Sequence, residues 1–240
     1  MDVYWLEQIE ADVPAENQWL STREMLSLAG MRFAKRRADW RLGRWTAKRA
    51  LAARLNLPTD LWALANIEIQ AAPSGAPEVY LLSQPASVTI SLSHRAGAAM
   101  CAVALDQASL GCDLEMVEPR NDVFVTDYFT DNEQALVERE PVEERPLLIT
   151  LLWSAKESAL KALHQGLRLD TRCMDVTRVD SAARNAGDGR QNPHPVSLLA
   201  PASDGWCPLQ VRYGGTRVFR GWWRHADHMV RTVVYDLPLR

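Results

Sequence analysis

The sequence predicts an α+β protein. Segments with helical periodicity and segments with strand alternation come in separate runs, which favours α+β over a doubly wound parallel sheet. The order of elements is loosely alike in the two halves, a long helix and then several strands. A boundary is expected near Asp106 to Leu110. At 240 residues the chain can form one large domain or two small ones, each with a substantial core. No strong sequence repeat is visible. The expected division is residues 1–108 and 109–240.

The elements follow in order. Val3 to Ile9 reads as a strand and Asn17 to Ala29 as a helix. The most basic segment, Phe33 to Leu55, has helical spacing, with Phe33, Trp40, Ala47 and Leu51 on one stripe and Leu57-Pro58 closing it. Ile67 to Gln70 is a short strand, and Ala72 to Glu78 (APSGAPE) a loop of turn formers. Val88 to His94 alternates as a strand, Ala98 to Leu105 is a buried apolar strand, and Leu110 to Val117 is a further strand. Thr130-x-x-Glu133 has capping-box spacing and starts a helix to about Glu140. A long helix runs from Pro146 to His164, with Gly166 placed to end it. Ser181 to Pro208 reads as a mobile surface loop. Gln210 to Tyr213, Val218 to Arg224 and Met229 to Tyr235 form a final meander.

Composition narrows the function. Hydrophobic residues at 47% and charged residues at 24% are ordinary for a globular protein. A net charge of −3 argues against a nucleic-acid binder. No apolar run approaches the length of a membrane span. The start, MDVYWLEQIEAD, lacks a basic segment followed by an apolar run, so no secretory signal is expected. The four cysteines (Cys101, Cys112, Cys173, Cys207) are scattered without a C-x-x-C pair, which suits free thiols in the cytoplasm.

Three constellations can carry chemistry. In Leu110 to Arg120, strand alternation sends Leu110, Cys112, Leu114 and Met116 inward and puts Asp113 and Glu115 together on the opposite face. Two adjacent carboxylates suit a hard divalent ion, which takes oxygen ligands, or simply form a solvated strand face. In Leu151 to Leu167, Leu148, Leu152, Ala155, Ala159 and Leu163 form the apolar stripe, while Trp153, Glu157 and Lys161 line another face. Glu157 can join the acidic pair with Lys161 facing an anion, or the two can be a surface i, i+4 pair. On the basic helix, Arg44 falls in the middle of the apolar stripe and Arg36 and Arg37 at its margins. A guanidinium there needs a partner, a phosphate, or a route for its head to reach water. The APSGAP loop and Ser93-His94 could supply further donors beside it.

Taken together and in this order, the motifs resemble the 4′-phosphopantetheinyl transferase superfamily, in its monomeric surfactin-synthetase-activating (Sfp-like) type. Gly111, Asp113 and Glu115 fit its G-x-D-x-E motif, and Trp153, Lys156, Glu157 and Lys161 fit W-x-x-K-E-x-x-x-K. Ser91-Leu92-Ser93-His94 fits S-x-S-H, and Arg36 to Arg44 sits where the family has its R-x-x-x-x-x-x-G-R-like segment. Many relatives carry a lysine before the proline of the glycine-proline loop; here Ala76 precedes Pro77.

The resemblance implies two similar α+β halves related by a pseudo-twofold, each a small, mostly antiparallel sheet packed on a long helix. It implies transfer of 4′-phosphopantetheine from coenzyme A to a serine of an acyl or peptidyl carrier protein, releasing 3′,5′-bisphosphoadenosine. Asp113, Glu115 and Glu157 would hold Mg2+ (or Mn2+) against the pyrophosphate, with Lys161 beside it. Arg36, Arg44, Ser93 and His94 would grip the coenzyme's phosphates, and Ser74, Gly75, Ala76 and Pro77 would border the adenine. Asp113, Glu157 and Lys161 form the expected catalytic set, with Glu157 as candidate base. The hydrophobic loop after Glu118 (Val123, Phe124, Val125, Tyr128, Phe129) would help dock the carrier. The rivals are a magnesium-dependent phosphohydrolase or nucleotide transferase, and a non-catalytic coenzyme A-binding regulator. A monomer without membrane or nucleic-acid partners is expected.

Overall fold

The computed structural model describes residues 2–105, 108–165, 169–179, 195–197 and 205–236. Along the chain run β1 (Asp2–Ile9), α1 (Thr22–Ala29), α2 (Ala34–Leu55), α3 (Leu61–Ala65), β2 (Ile67–Ala71), β3 (Pro77–Leu81), β4 (Gln84–Pro85), β5 (Thr89–Arg95) and β6 (Ala98–Ala104). There follow β7 (Ser109–Met116), α4 (Asp122–Tyr128), α5 (Asp131–Arg139), α6 (Arg145–Ala162), β8 (Met174–Val179), β9 (Pro195–Ser197), β10 (Cys207–Tyr213), β11 (Arg217–Ala226) and β12 (Met229–Asp236). The fold is mixed α+β with antiparallel sheets, as the sequence predicts. Among the described residues, no helix is long and apolar enough to cross a membrane.

The chain divides into two units, Met1–Ala108 with Asn192–Leu198, and Ser109–Gln191 with Leu199–Arg240. The first holds the sheet β5-β6-β1-β9 and the small sheet β2-β3-β4. Helix α2 packs on β1, β5 and β6. Its ridge of Ala47, Ala50 and Leu51 is buried against Tyr4, Ile90, Cys101 and Val103. The helix ends where Asn56 turns left-handed at φ 53°, a conformation asparagine tolerates, and Leu57-Pro58 follows.

The second unit is a five-stranded antiparallel sheet, order β7-β12-β11-β10-β8, covered on one face by α6. Leu152, Ala155 and Ala159 of α6 pack on Val211, Phe219, Val230 and Val234. Pro146 sits in the first turn of α6, where its missing N–H costs nothing.

The structure departs from the sequence reading in particular places. Helix α1 starts at Thr22, not Asn17, because Ser21 and Glu24 form a capping box there. Phe33 is the N-cap of α2 rather than part of its buried stripe, and it is 73% exposed. The segment after Glu118 is a helix, α4, capped by Asn121 accepting from the Phe124 amide. Strands β3 and β8 and helix α3 were not expected from the sequence. Within the expected 181–208 loop, Pro195–Ser197 pairs antiparallel with β1, and Cys207 and Pro208 belong to β10. Gly166 and most of that loop lie outside the described residues.

Candidate active site

Gly111 decides where the site forms. A Cβ built on it would fall 1.8 Å from the carbonyl oxygen of Ser158, so only glycine lets α6 lie directly on β7. The alternation expected for β7 holds: Leu110, Cys112 and Leu114 share one face and Gly111, Asp113 and Glu115 the other. That second face is not a solvated one. It is the face that meets α6, and Asp113 is buried at 4% exposure.

The close approach brings the second motif onto the first. Lys161 Nζ lies 2.7 Å from Asp113 Oδ1 and donates to the Cys112 carbonyl at 3.0 Å. Glu157, one turn earlier on α6, is pressed by the same groups. Its pKa is pushed up to about 7, first by burial and then by the negative charge of Asp113, opposed by Lys161 and reinforced by Glu115. For Lys161 burial acts downward, yet attraction to Asp113 and the charge of Glu157 leave its ammonium above the usual lysine value. Asp113, Glu115, Glu157 and Lys161 therefore form one electrostatic cluster, and the surface-pair reading of Glu157 and Lys161 is overturned. Lys161 already has Asp113 as its counter-ion.

The donors of this cluster suit a hard divalent cation. They are carboxylate oxygens, and the repulsion that raises Glu157 is the kind a cation relieves. The side chains do not stand in a closed ligand set: among the described residues, no three His, Cys, Asp or Glu groups are arranged to hold a metal ion. Ion binding would have to draw the carboxylates together, in competition with Lys161 for Asp113.

A functional-motif residue to which the sequence assigned no role turns out to be an anchor. Lys156 is fully buried and pairs with Glu133 at 2.6 Å, while its Nζ donates to the carbonyls of Tyr128 (3.0 Å) and Thr171 (3.1 Å). Glu133 caps α5 with Thr130 and accepts from the Val176 amide at 2.9 Å. One lysine thus ties α6 to the ends of α4 and α5 and to the start of β8. Burial pushes Lys156 down and Glu133 up, and each holds the other charged.

The first unit contains the same device. Lys48, also fully buried, pairs with Glu24 and donates to the carbonyls of Trp19 (2.8 Å) and Leu64 (3.1 Å). Glu24 caps α1 with Ser21 and accepts from the Ile69 amide at 3.1 Å. The signal is present in the sequence: Ser21-x-x-Glu24 followed by Trp45-x-x-Lys48 corresponds to Thr130-x-x-Glu133 followed by Trp153-x-x-Lys156. A sequence repeat therefore exists, written in four positions per half. Where the second unit has Glu157, the first has Arg49.

Glu24 also supplies a partner for Arg44, whose Nε lies 3.7 Å from Glu24 Oε1. Burial lowers the Arg44 pKa and Glu24 opposes the shift. Arg44 also sits over the Trp40 ring, 4.9 Å from its centroid. Arg36 and Arg37 are exposed on α2. Ser93 is buried and His94 exposed on successive positions of β5, so they point to opposite faces of the sheet. Ser74 and Gly75 form an exposed turn closed by Ala72 N–H donating to the Ala76 carbonyl at 2.8 Å, with Gly75 at φ +91°. Around α4, Val123 is exposed, whereas Phe129 is fully buried and Phe124 and Tyr128 pack against Trp153 at 5.1 Å. Phe129 belongs to the core and not to a docking surface.

Residues 109–200 match the model of the 4′-phosphopantetheinyl transferase superfamily. Both motifs of the cluster lie within that match. Among solved structures, the chain is similar to the holo-[acyl-carrier-protein] synthase (AcpS) of Helicobacter pylori, determined in complex with coenzyme A. That likeness has 18% identity and a TM-score of 0.34, and covers 42% of this chain and 97% of the synthase. No curated protein matches.

Proposed function

We propose that the protein transfers the 4′-phosphopantetheine arm of coenzyme A to a serine of a carrier protein. The observation that carries the reading is the convergence of Asp113, Glu115, Glu157 and Lys161 between β7 and α6, inside the segment that matches the superfamily.

The residue chemistry supports the reaction. The carrier serine must lose a proton as its oxygen bonds to the β-phosphorus of coenzyme A, and the P–O bond to 3′,5′-bisphosphoadenosine breaks. Without a divalent ion the Glu157 carboxyl stands at about 7, which suits it to take that proton at neutral pH. Binding the ion through the same oxygens would lower its basicity, so the two proposed roles compete. Lys161, held by Asp113 and the Cys112 carbonyl, places a fixed positive charge beside the departing phosphate. Asp113, Glu115 and Glu157 would hold the divalent ion, which when bound neutralises charge on the pyrophosphate. Arg36, Arg44, Ser93 and His94 are proposed for the coenzyme's phosphates, with Ser74, Gly75, Ala76 and Pro77 near the adenine. The exposed Val123 on α4 is a proposed point of contact for the carrier, and the protein is proposed to act as a monomer in the cytoplasm.

The deciding experiment incubates the protein with coenzyme A, magnesium and a panel of apo carrier proteins, read by mass spectrometry. A gain of one phosphopantetheine on a carrier serine, abolished in a folded Asp113→Ala variant, is expected. Release of bisphosphoadenosine or phosphate without any carrier would instead identify a hydrolase, and coenzyme A binding without turnover a regulator.

A further inference from the structure

Between α6 and β12 lies a buried polar seam that the chemistry above does not use. Ser154, Ser158 and Thr232 are each fully buried. Thr232 Oγ1 lies 2.9 Å from Ser154 Oγ and 2.6 Å from Ser158 Oγ, and it donates to the Ser154 carbonyl at 2.9 Å. One placement of the three hydroxyl protons satisfies every group: Thr232 gives its proton to that carbonyl and accepts from both serines. The Thr232 carbonyl is a second acceptor, 3.3 Å from Ser158 Oγ.

Such a set constrains the helix more tightly than apolar contact does. Alanine and leucine surfaces tolerate a small slide of α6 along the sheet, whereas a hydroxyl that loses its partner in the interior bears the cost of its desolvation. The seam also lies beside the acidic cluster. Thr232 is the cross-strand partner of Asp113, Ser158 follows Glu157 in sequence, and the Ser158 carbonyl is the atom resting over Gly111. A slide of α6 would carry Lys161 away from Asp113.

We infer that Thr232 is a positioning residue, whose hydroxyl fixes α6 over β7 so that Lys161 and Glu157 meet the carboxylates of β7. Its consequence for turnover rests on the transferase reading; its consequence for the position of Lys161 does not.

The test is lysine labelling of the intact protein with acetic anhydride, read by peptide mass spectrometry, with the exposed Lys35 as internal reference. In Thr232→Val, Lys161 is expected to label about tenfold faster, the change that follows from weakening its contact with Asp113 by one hydrogen bond's worth of free energy. Thr232→Ser retains the hydroxyl and is expected to keep Lys161 at its native rate. An unchanged Lys161 rate in folded Thr232→Val, or equal acceleration in Thr232→Ser, overturns the inference. Should Thr232→Val fail to fold, Ser154→Ala and Ser158→Ala carry the same expectation, since each removes one donor to Thr232. In transfer assays Thr232→Val is expected to lower kcat with KM for coenzyme A unchanged, and a raised KM at native kcat counts against a positioning role. Absence of transfer by the unmodified protein would remove the functional reading and leave the labelling result to judge the seam.

Discussion

Gly111 and Ser158 approach so closely that a side chain on the first would occupy the position of the second's carbonyl oxygen. The glycine of the G-x-D-x-E motif is therefore a spacing device. It sets how near α6 comes to β7, and so whether Glu157 and Lys161 can interact with Asp113 and Glu115.

Gly111→Ala tests that role. The added methyl would meet backbone on α6, the Ser158 carbonyl at 1.8 Å and the Ala162 nitrogen at 2.9 Å, and no side chain can move aside to admit it. A loss of about 3 kcal/mol in unfolding free energy is expected from overpacking of this kind. Denaturant unfolding with circular dichroism measures it, and a loss below about 1 kcal/mol would show that α6 has room to lift.

The buried pair of Lys156 and Glu133 yields a second prediction. Lys156→Met leaves a carboxylate without its counter-charge in the interior, at a cost of about 3–5 kcal/mol. Glu133→Gln in the same chain removes the stranded charge and keeps an oxygen for the Val176 amide, so the double variant should regain a good part of that loss. At Lys48 and Glu24 the loss from the single Lys48→Met change should be smaller, because Arg44 remains beside Glu24 as a second cation. Additive effects of the two single changes would show that the pair is not coupled.

These anchors mark what was legible in the sequence and what was not. The strand face shared by Asp113 and Glu115, both long helices and the order of most strands could be read from periodicity and spacing, whereas the two motifs were joined only by the family resemblance. The recurrence of S/T-x-x-E and W-x-x-K was present but sparse, hidden because the residues between are unrelated in the two halves. Glu24 as a partner for Arg44 was not legible, because it lies on another helix and reaches Arg44 only through tertiary packing. Helix α4 read as a loop because Val123, Phe124 and Val125 show no helical period, although Asn121 is a good cap. Strand β3 was hidden because its first residues, Pro77 and Glu78, read as part of the turn that joins it to β2, and β8 because its partner β10 is remote in sequence. That Asp113 faces a helix rather than water could not be inferred, since alternation fixes which residues share a face but not what covers it.

Glu157 sets a pH dependence with a definite sign. Its carboxyl rises from 4.5 in a free chain to about 7 in the fold. Between those values the folded protein holds a proton that the unfolded chain has released, so stability falls as pH rises through that window. Thermal unfolding should show a lower Tm at pH 8 than at pH 5.5, with the part due to this group absent in Glu157→Gln. Magnesium should raise Tm more at pH 8, where Glu157 is ionised, than at pH 5.5. Transfer, which needs the ionised form as base, should climb with pH and then level. Its midpoint should lie below about 7 when magnesium occupies the site, because a bound cation favours the carboxylate. An equal magnesium effect at both pH values would remove Glu157 from the ion site.

Arg44 separates two roles that its position allows. If it serves only Glu24, replacing it by alanine removes a partly buried ion pair and affects coenzyme A and dephospho-coenzyme A alike. If its remaining guanidinium N–H groups also hold the 3′-phosphate, the loss falls on the substrate that carries that phosphate. The proposal predicts the second pattern: Arg44→Ala should raise KM for coenzyme A about tenfold, the effect of one charge-assisted hydrogen bond, with a much smaller rise for dephospho-coenzyme A. Arg44→Lys should recover little of it, because an ammonium cannot reproduce the planar fork of the guanidinium. Steady-state kinetics with both substrates, at one ionic strength, decide the matter. Equal changes for the two would assign Arg44 to the Glu24 contact and leave the 3′-phosphate to Arg36 and His94, both exposed in the first unit.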